Sequence, residues 1–253
     1  MTNQGEMTDP EAPAGDWTEE RLFGGRLQVR QPRTGYRYGL DTVLLAGLTD
    51  CGAGERAADL GTGCGVIPII MTARGRGREW LGLEVQEELA RLARSNVAAN
   101  GLSAVIRIEW ADFREIPRLG AGGWADLVVS NPPYGRFGAG RVSPDPRRAA
   151  ARQEQAGTLD GLFGAAAHLL HPGGRLALIC PAPRLVELIQ AATRFGFHPG
   201  RLTFVHIRPE QPARLIHGLW NRRGGSDLVV APPFFVHTAA GAISPELERL
   251  YAG

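Results

Sequence analysis

The stretch Arg56-Ala57-Ala58-Asp59-Leu60-Gly61-Thr62-Gly63-Cys64-Gly65-Val66-Ile67-Pro68-Ile69-Ile70-Met71 decides how this chain folds. Its first five residues read as a strand and the alternating glycines as a tight loop. The apolar run after Gly65 reads as a helix whose first turn tolerates Pro68. Strand, glycine loop and helix in that order open an α/β fold, a parallel sheet wound with helices on both faces. The spacing narrows the ligand. A dinucleotide loop runs G-x-G-x-x-G, whereas Gly61, Gly63 and Gly65 alternate here and Asp59 stands two residues before the first.

Downstream the pattern repeats. Trp80-Leu81-Gly82-Leu83-Glu84 reads as a second strand ending in an acid, about 20 residues beyond the glycines, where a carboxylate commonly meets ribose hydroxyls. A helix follows, with Val85, Leu89, Leu92, Ala93 and Val97 on one face, a Glu87–Arg91 pair outside, and Asn100-Gly101 at its close. Residues Val105 to Trp110 form a third strand, and Ala111-Asp112-Phe113 comes after it. Trp124 to Val129 is a buried strand leading into Ser130-Asn131-Pro132-Pro133-Tyr134. That peptide offers an amide oxygen on Asn131, a backbone carbonyl on Pro132 and a flat ring on Tyr134, all on a turn stiffened by two prolines. Two acceptors beside a stacking platform suit a planar group bearing an NH2.

Residues 135–148 combine glycine, proline and arginine in a long basic loop, as expected of a segment that meets phosphates. Ala149 to Glu154 starts a helical element facing the site. Helices are expected over Leu159–Leu170 and Arg184–Phe195, with a strand at Arg175–Cys180 between them. Arg201–Ile207 and Arg214–Trp220 pair as antiparallel strands, which makes His206 and His217 strand residues with no catalytic part. Asp227–Val236 is a terminal extended segment.

Upstream, residues 1–20 read as a disordered tail and 21–253 as one domain with an N-terminal extension over 21–50. Within the extension a short hairpin turns at Gly24-Gly25. Arg33, Tyr36, Arg37 and Tyr38 crowd one connector, and a helix over Thr42–Gly47 has Asp41 as its cap and Gly47 as its stop. The net charge of +2 gives no global field toward nucleic acid, although all 28 basic residues are arginine. Base-composition bias accounts for that excess and for the 34 glycines more simply than selection does. Cys51, Cys64 and Cys180 show no paired spacing, so neither a metal centre nor a disulfide framework is expected, and a cytoplasmic setting fits. No stretch has the length and apolarity of a membrane span or a signal peptide.

Asn131-Pro132-Pro133-Tyr134 resembles the motif of class I methyltransferases that act on exocyclic or amide nitrogens with S-adenosylmethionine. Asp59-x-Gly61-x-Gly63-x-Gly65 is similar to the loop by which those enzymes hold the methionine part of the cofactor. The resemblance implies a Rossmann-like, doubly wound, seven-stranded sheet, parallel except for a terminal antiparallel hairpin. It also implies S-adenosylmethionine on Asp59, Gly61, Gly63, Gly65, Glu84, Asp112, Phe113 and Asn131, with Asp112 receiving the adenine amino group. Catalysis falls to Asn131, Pro132 and Tyr134.

Residues from about 21 to 251 as a whole resemble the bacterial tRNA1(Val) adenine-37 N6-methyltransferase family. Gln31-Pro32-Arg33-x-Gly35-Tyr36-Arg37-Tyr38-Gly39-x-Asp41, Ala151-Arg152-Gln153-Glu154, Pro232-Pro233 and Ser244-Pro245-Glu246 add to the match. That implies tRNA as partner, with Arg33, Tyr36, Arg136, Arg141 and Arg152 on the substrate side. Guanine-N2 methylation of RNA and glutamine-N5 methylation of a protein present the same NH2 chemistry. The second comes with an N-terminal helical domain, for which the residues ahead of the sheet have no pattern. A non-catalytic fold that only tethers RNA is the third alternative, and Asn131 argues against it.

Overall fold

The computed structural model describes residues 16–118, 122–132, 158–224 and 227–253. Seven long strands form the expected sheet: β3 (Arg56–Leu60), β4 (Glu79–Glu84), β5 (Ile106–Trp110), β6 (Ala125–Ser130), β7 (Leu170–Pro181), β8 (Phe197–His206) and β9 (Ala213–Arg222). Their spatial order is β8-β9-β7-β6-β3-β4-β5, with β9 antiparallel to both neighbours and the others parallel. Two short strands, β10 (Val229–Val230) and β11 (Phe234–Phe235), add to β8 in parallel, so the whole sheet has nine.

The order of strands reverses between β3 and β6. Asp59 pairs with Val129 in that register, so the chain leaves both strands at one point on the carboxyl edge. Open α/β sheets bind their ligands in the crevice at such a reversal.

Helices cover both faces. On one lie α1 (Leu40–Leu48), α2 (Val66–Ala73), α3 (Glu87–Ala99) and α6 (Pro245–Ala252), over a core that includes Leu44, Ile69, Met71 and Trp80. On the other lie α4 (Thr158–Leu169) and α5 (Leu185–Arg194), where Phe163 packs against Phe195, Phe197 and Trp220. The residue patterns account for this division. Trp80 of β4 faces the first core and its neighbours Leu81 and Leu83 the second, as a strand buried on both sides requires.

Several boundaries differ from expectation. β1 (Trp17–Leu22) pairs antiparallel with β2 (Leu27–Pro32), so residues 17–20 are strand and not tail. The acidic residues that disguise β1 are in use: the Glu20 carboxylate accepts from Arg37, Gln31 and the Tyr38 hydroxyl. The tail reading of residues 1–15 lies outside the described residues.

Asp41 is not the cap of α1. Gly39 stands there, while Asp41 sits in the first turn and accepts the Thr42 N–H at 2.9 Å. Gly47 is not a stop either. It lies inside α1, where an added Cβ would come within 2.7 Å of Leu250, so its absent side chain is what lets α6 press on α1. Val85 precedes α3, whose cap is Gln86, and is 54% exposed. α6 itself went unread, although Ser244 accepts the Leu247 N–H at 3.1 Å as an ordinary N-cap and Pro245 opens the helix.

Candidate active site

Gly61, Gly63 and Gly65 all adopt left-handed backbone conformations, with φ of +76°, +58° and +81°. The alternation read in the sequence is therefore a backbone requirement, because side-chain-bearing residues pay strain in this region. The turn is anchored to the neighbouring strand. Gly61 and Thr62 both donate N–H to the Leu83 carbonyl at 2.9 Å, and Gly63 donates to Glu84 Oε2 at 2.9 Å. Glu84 Oε1 also accepts the Gln86 N–H at 2.9 Å. Burial nonetheless holds the Glu84 carboxyl above its ordinary range, against those N–H bonds, which favour the charge.

Asp59 is fully buried beneath this turn. Its Oδ2 accepts the Thr62 hydroxyl at 2.7 Å, and its Oδ1 has no partner among the described residues. Burial pushes its carboxyl up to about 7, with the Glu84 charge adding to the rise and Thr62 opposing it. A buried carboxylate with an unmet oxygen, next to a second acid, is a place prepared for donors or positive charge.

Asn131 leaves β6 beside the same turn. Ser130 at the end of β6 is tied to β3, its hydroxyl donating to the Leu60 carbonyl at 2.7 Å. The half-buried Asn131 amide donates from Nδ2 to Thr42 Oγ1 at 3.1 Å. Pro132 is buried.

Tyr36 also comes to the glycine turn. A Cβ on Gly63 would lie 2.5 Å from Tyr36 Cε1 and 2.7 Å from its hydroxyl oxygen. The residue is 38% exposed, yet burial of its hydroxyl end raises the phenol pKa well above normal. The charges of Cys64, Asp59, Glu84 and Asp41 push the same way. The structure thus brings Tyr36 to the glycine turn rather than to the company of Arg33. Arg33 is exposed and pairs with Asp16, and Arg37 binds Glu20, Thr18 and the Pro32 carbonyl.

Asp112 follows β5, which the Ala111 N–H ties to the Glu84 carbonyl at 2.9 Å. Its carboxylate is engaged by the Arg114 guanidinium and backbone N–H, which together hold its pKa below the usual range. Phe113 is half-buried and packs against the second core. The carboxyl edge therefore gathers Asp59, Gly61, Gly63, Gly65, Glu84 and Asn131, with Asp112 and Phe113 one strand further out. Tyr134, Arg136, Arg141 and Arg152 lie outside the described residues.

Sequence reasoning missed Thr42, Thr62 and Asn96. Asn96 of α3 donates Nδ2–H to the carbonyls of Cys64 and Arg30, which joins the glycine turn to β2. Its signal was a polar residue on the buried side of an amphipathic helix.

Residues 40–196, more than half of the chain, match the family described as methyltransferase small domain. A tRNA1(Val) (adenine(37)-N6)-methyltransferase from Porphyromonas gingivalis is 34% identical over 235 residues, covering 89% of this chain and 91% of that one. One of the same name from Phocaeicola vulgatus is 34% identical over 192 residues, covering 76% and 80%. Among solved structures, a predicted O-methyltransferase from Agrobacterium tumefaciens shares the fold with a TM-score of 0.65 at 23% identity, covering 84% of this chain and 95% of that one.

Proposed function

The chain belongs to the methyltransferase small-domain family, alongside the tRNA1(Val) (adenine(37)-N6)-methyltransferases, and from that premise we propose that it methylates the exocyclic amine of adenine 37 in tRNA1(Val) with S-adenosylmethionine. The observation that carries the reading is the position of Asn131, at the strand-order reversal and directly beside the left-handed glycine turn.

The residues fit the cofactor. A turn in which a Cβ would collide, two buried acids and an orphaned Asp59 oxygen are the donor set that a cationic, hydroxyl-rich ligand needs. Asp59, Gly61, Gly63, Gly65 and Glu84 would hold it, with Tyr36, Asp112 and Phe113 nearby. When bound, S-adenosylmethionine supplies an electrophilic methyl group.

The protein's own task is to present a nitrogen lone pair. Asn131 Oδ1 and the Pro132 carbonyl accept the two N–H bonds of the adenine amine. That draws the amine out of conjugation with its ring and aims the lone pair at the donor. The same oxygens stabilise the positive charge that develops on nitrogen. Holding the amine in place also removes entropy from the barrier, up to about 7–11 kcal/mol in favourable intramolecular cases. Tyr134 stacks on the extruded base, and Arg136, Arg141 and Arg152 contact phosphates. Among the described residues no helix is long and apolar enough to cross a membrane, and a tRNA substrate places the reaction in the cytoplasm.

Nucleoside mass spectrometry of tRNA incubated with enzyme and methyl-labelled cofactor tests this reading. Labelled N6-methyladenosine is expected, and Asn131→Ala should lower its rate of formation by about 10²–10³-fold while cofactor binding stays unchanged. Label on guanine-N2 or on protein would overturn the substrate, and a nearly active Asn131→Ala would overturn the mechanism.

A further inference from the structure

We propose that Thr42 is a positioning residue for methyl transfer, acting through Asn131; this rests on the role given to Asn131 above. Thr42 is 2% exposed, and its hydroxyl accepts the Asn131 Nδ2–H across 89 residues of sequence. It is set firmly. The Thr42 N–H donates both to the Gly39 carbonyl at 3.1 Å and to Asp41 Oδ1 at 2.9 Å, which fixes the first turn of α1. An asparagine amide rotates about its last side-chain bond at little cost, and only its neighbours give it a direction. With its nitrogen held on Thr42, the amide oxygen is turned away from Thr42.

A second observation supports this role. Tyr36 lies against Gly63 and Thr42 holds Asn131, so one short segment touches both the cofactor turn and the acceptor motif. Residues 36–42 thereby set the distance between donor and acceptor, and Thr42 is the end that reads out on the acceptor. A placement error of about an ångström is enough to cost two orders of magnitude in rate.

The test uses the full chain with tRNA and S-adenosylmethionine. Thr42→Val keeps the shape and removes the acceptor, whereas Thr42→Ser keeps the hydroxyl. Thr42→Val should lower kcat about tenfold or more with the KM for S-adenosylmethionine within about twofold, and Thr42→Ser should restore most of it. In the Asn131→Ala background Thr42→Val should have no further effect, because the group it orients is gone. If Thr42→Val does not fold, Thr42→Ala against Thr42→Ser carries the same contrast. Wild-type kcat in Thr42→Val, equal losses in Thr42→Val and Thr42→Ser, or a loss that multiplies that of Asn131→Ala would each overturn the proposal. A fully active Asn131→Ala would instead overturn the functional reading beneath it, so the two failures are told apart.

Discussion

The two ends of α1 are held by the same kind of bond and serve different ends of the molecule. At its start Thr42 receives Asn131 on the carboxyl edge of the sheet. Just past its close Thr49, 1% exposed, meets Nε2 of His217 on β9 at 2.9 Å. Both threonines are buried; Asn131 follows the end of β6, whereas His217 lies within β9. Asn131, however, is half-exposed beside the glycine turn, while His217 is 3% exposed with Nδ1 unpartnered among the described residues. Burial keeps His217 neutral, lowering its pKa to about 4, with the charge of Arg201 adding to the effect. A threonine hydroxyl therefore says nothing about function by type. What its partner faces decides the matter.

After Asn131→Ala, the largest expected effect on the site side comes from Gly63→Ala. The added methyl would stand at φ +58° and 2.5 Å from the Tyr36 ring, in a turn that also donates to Glu84. Strain of about 1–3 kcal/mol corresponds to an affinity for S-adenosylmethionine weakened by roughly 10–100-fold, measurable by calorimetry. Unchanged binding would remove the glycine turn from the cofactor site.

Thr49→Val probes the other end. It removes the Thr49 partner of His217 Nε2 in a buried place, which should cost about 1–3 kcal/mol of stability. Thermal unfolding should fall by a few degrees per kcal/mol in a chain of this size. The prediction that sharpens the comparison is that kcat stays at the wild-type value. A loss of kcat without a loss of stability would put both ends of α1 under the reaction and erase the contrast.

The smallest effect is the net pH dependence of the wild type, because here the two regions oppose each other. His217 has a folded pKa lowered from 6.5 to about 4, so its stabilisation is complete above pH 6.5 and is lost as pH falls toward 4. Asp59 has a folded pKa raised from 3.8 to about 7, so its contribution is complete below pH 3.8 and is lost as pH rises toward 7. Over the shared window the two slopes partly cancel. Relative to wild type, acidification from pH 7 to 4.5 should favour His217→Gln and disfavour Asp59→Asn in melting temperature. Variants that both follow the wild-type curve would show that neither group titrates as its burial requires.

How much was legible beforehand depended on how local the cause was. The glycine turn could be read because each left-handed residue demands glycine at its own position, and the acid at the end of β4 because strand length puts it there. Asn131 was legible through its two prolines and the apolar strand before it. β1 was hidden because its acidic residues resemble those of a tail, and they make sense only against Arg37 and Tyr38 beyond the hairpin. Tyr36 stands out in the sequence as an aromatic among arginines, but its contact with Gly63 depends on the tertiary fold. α6 has a local signal in Ser244 and Pro245, a cap and an opening proline, although its seat against Gly47 comes only from the fold.

By itself, then, the sequence determined the order of strands and helices, the backbone character of the glycine turn and the place of Asn131-Pro132 at the end of β6. These follow from local sterics and periodicity, which act within a few residues. Only the tertiary structure decided which face of Asn131 is held, where Tyr36 lies, and which of two threonines stands near the site. Those contacts join residues separated by 27 to 168 positions, and no local rule specifies a pair that the sheet topology alone brings within reach.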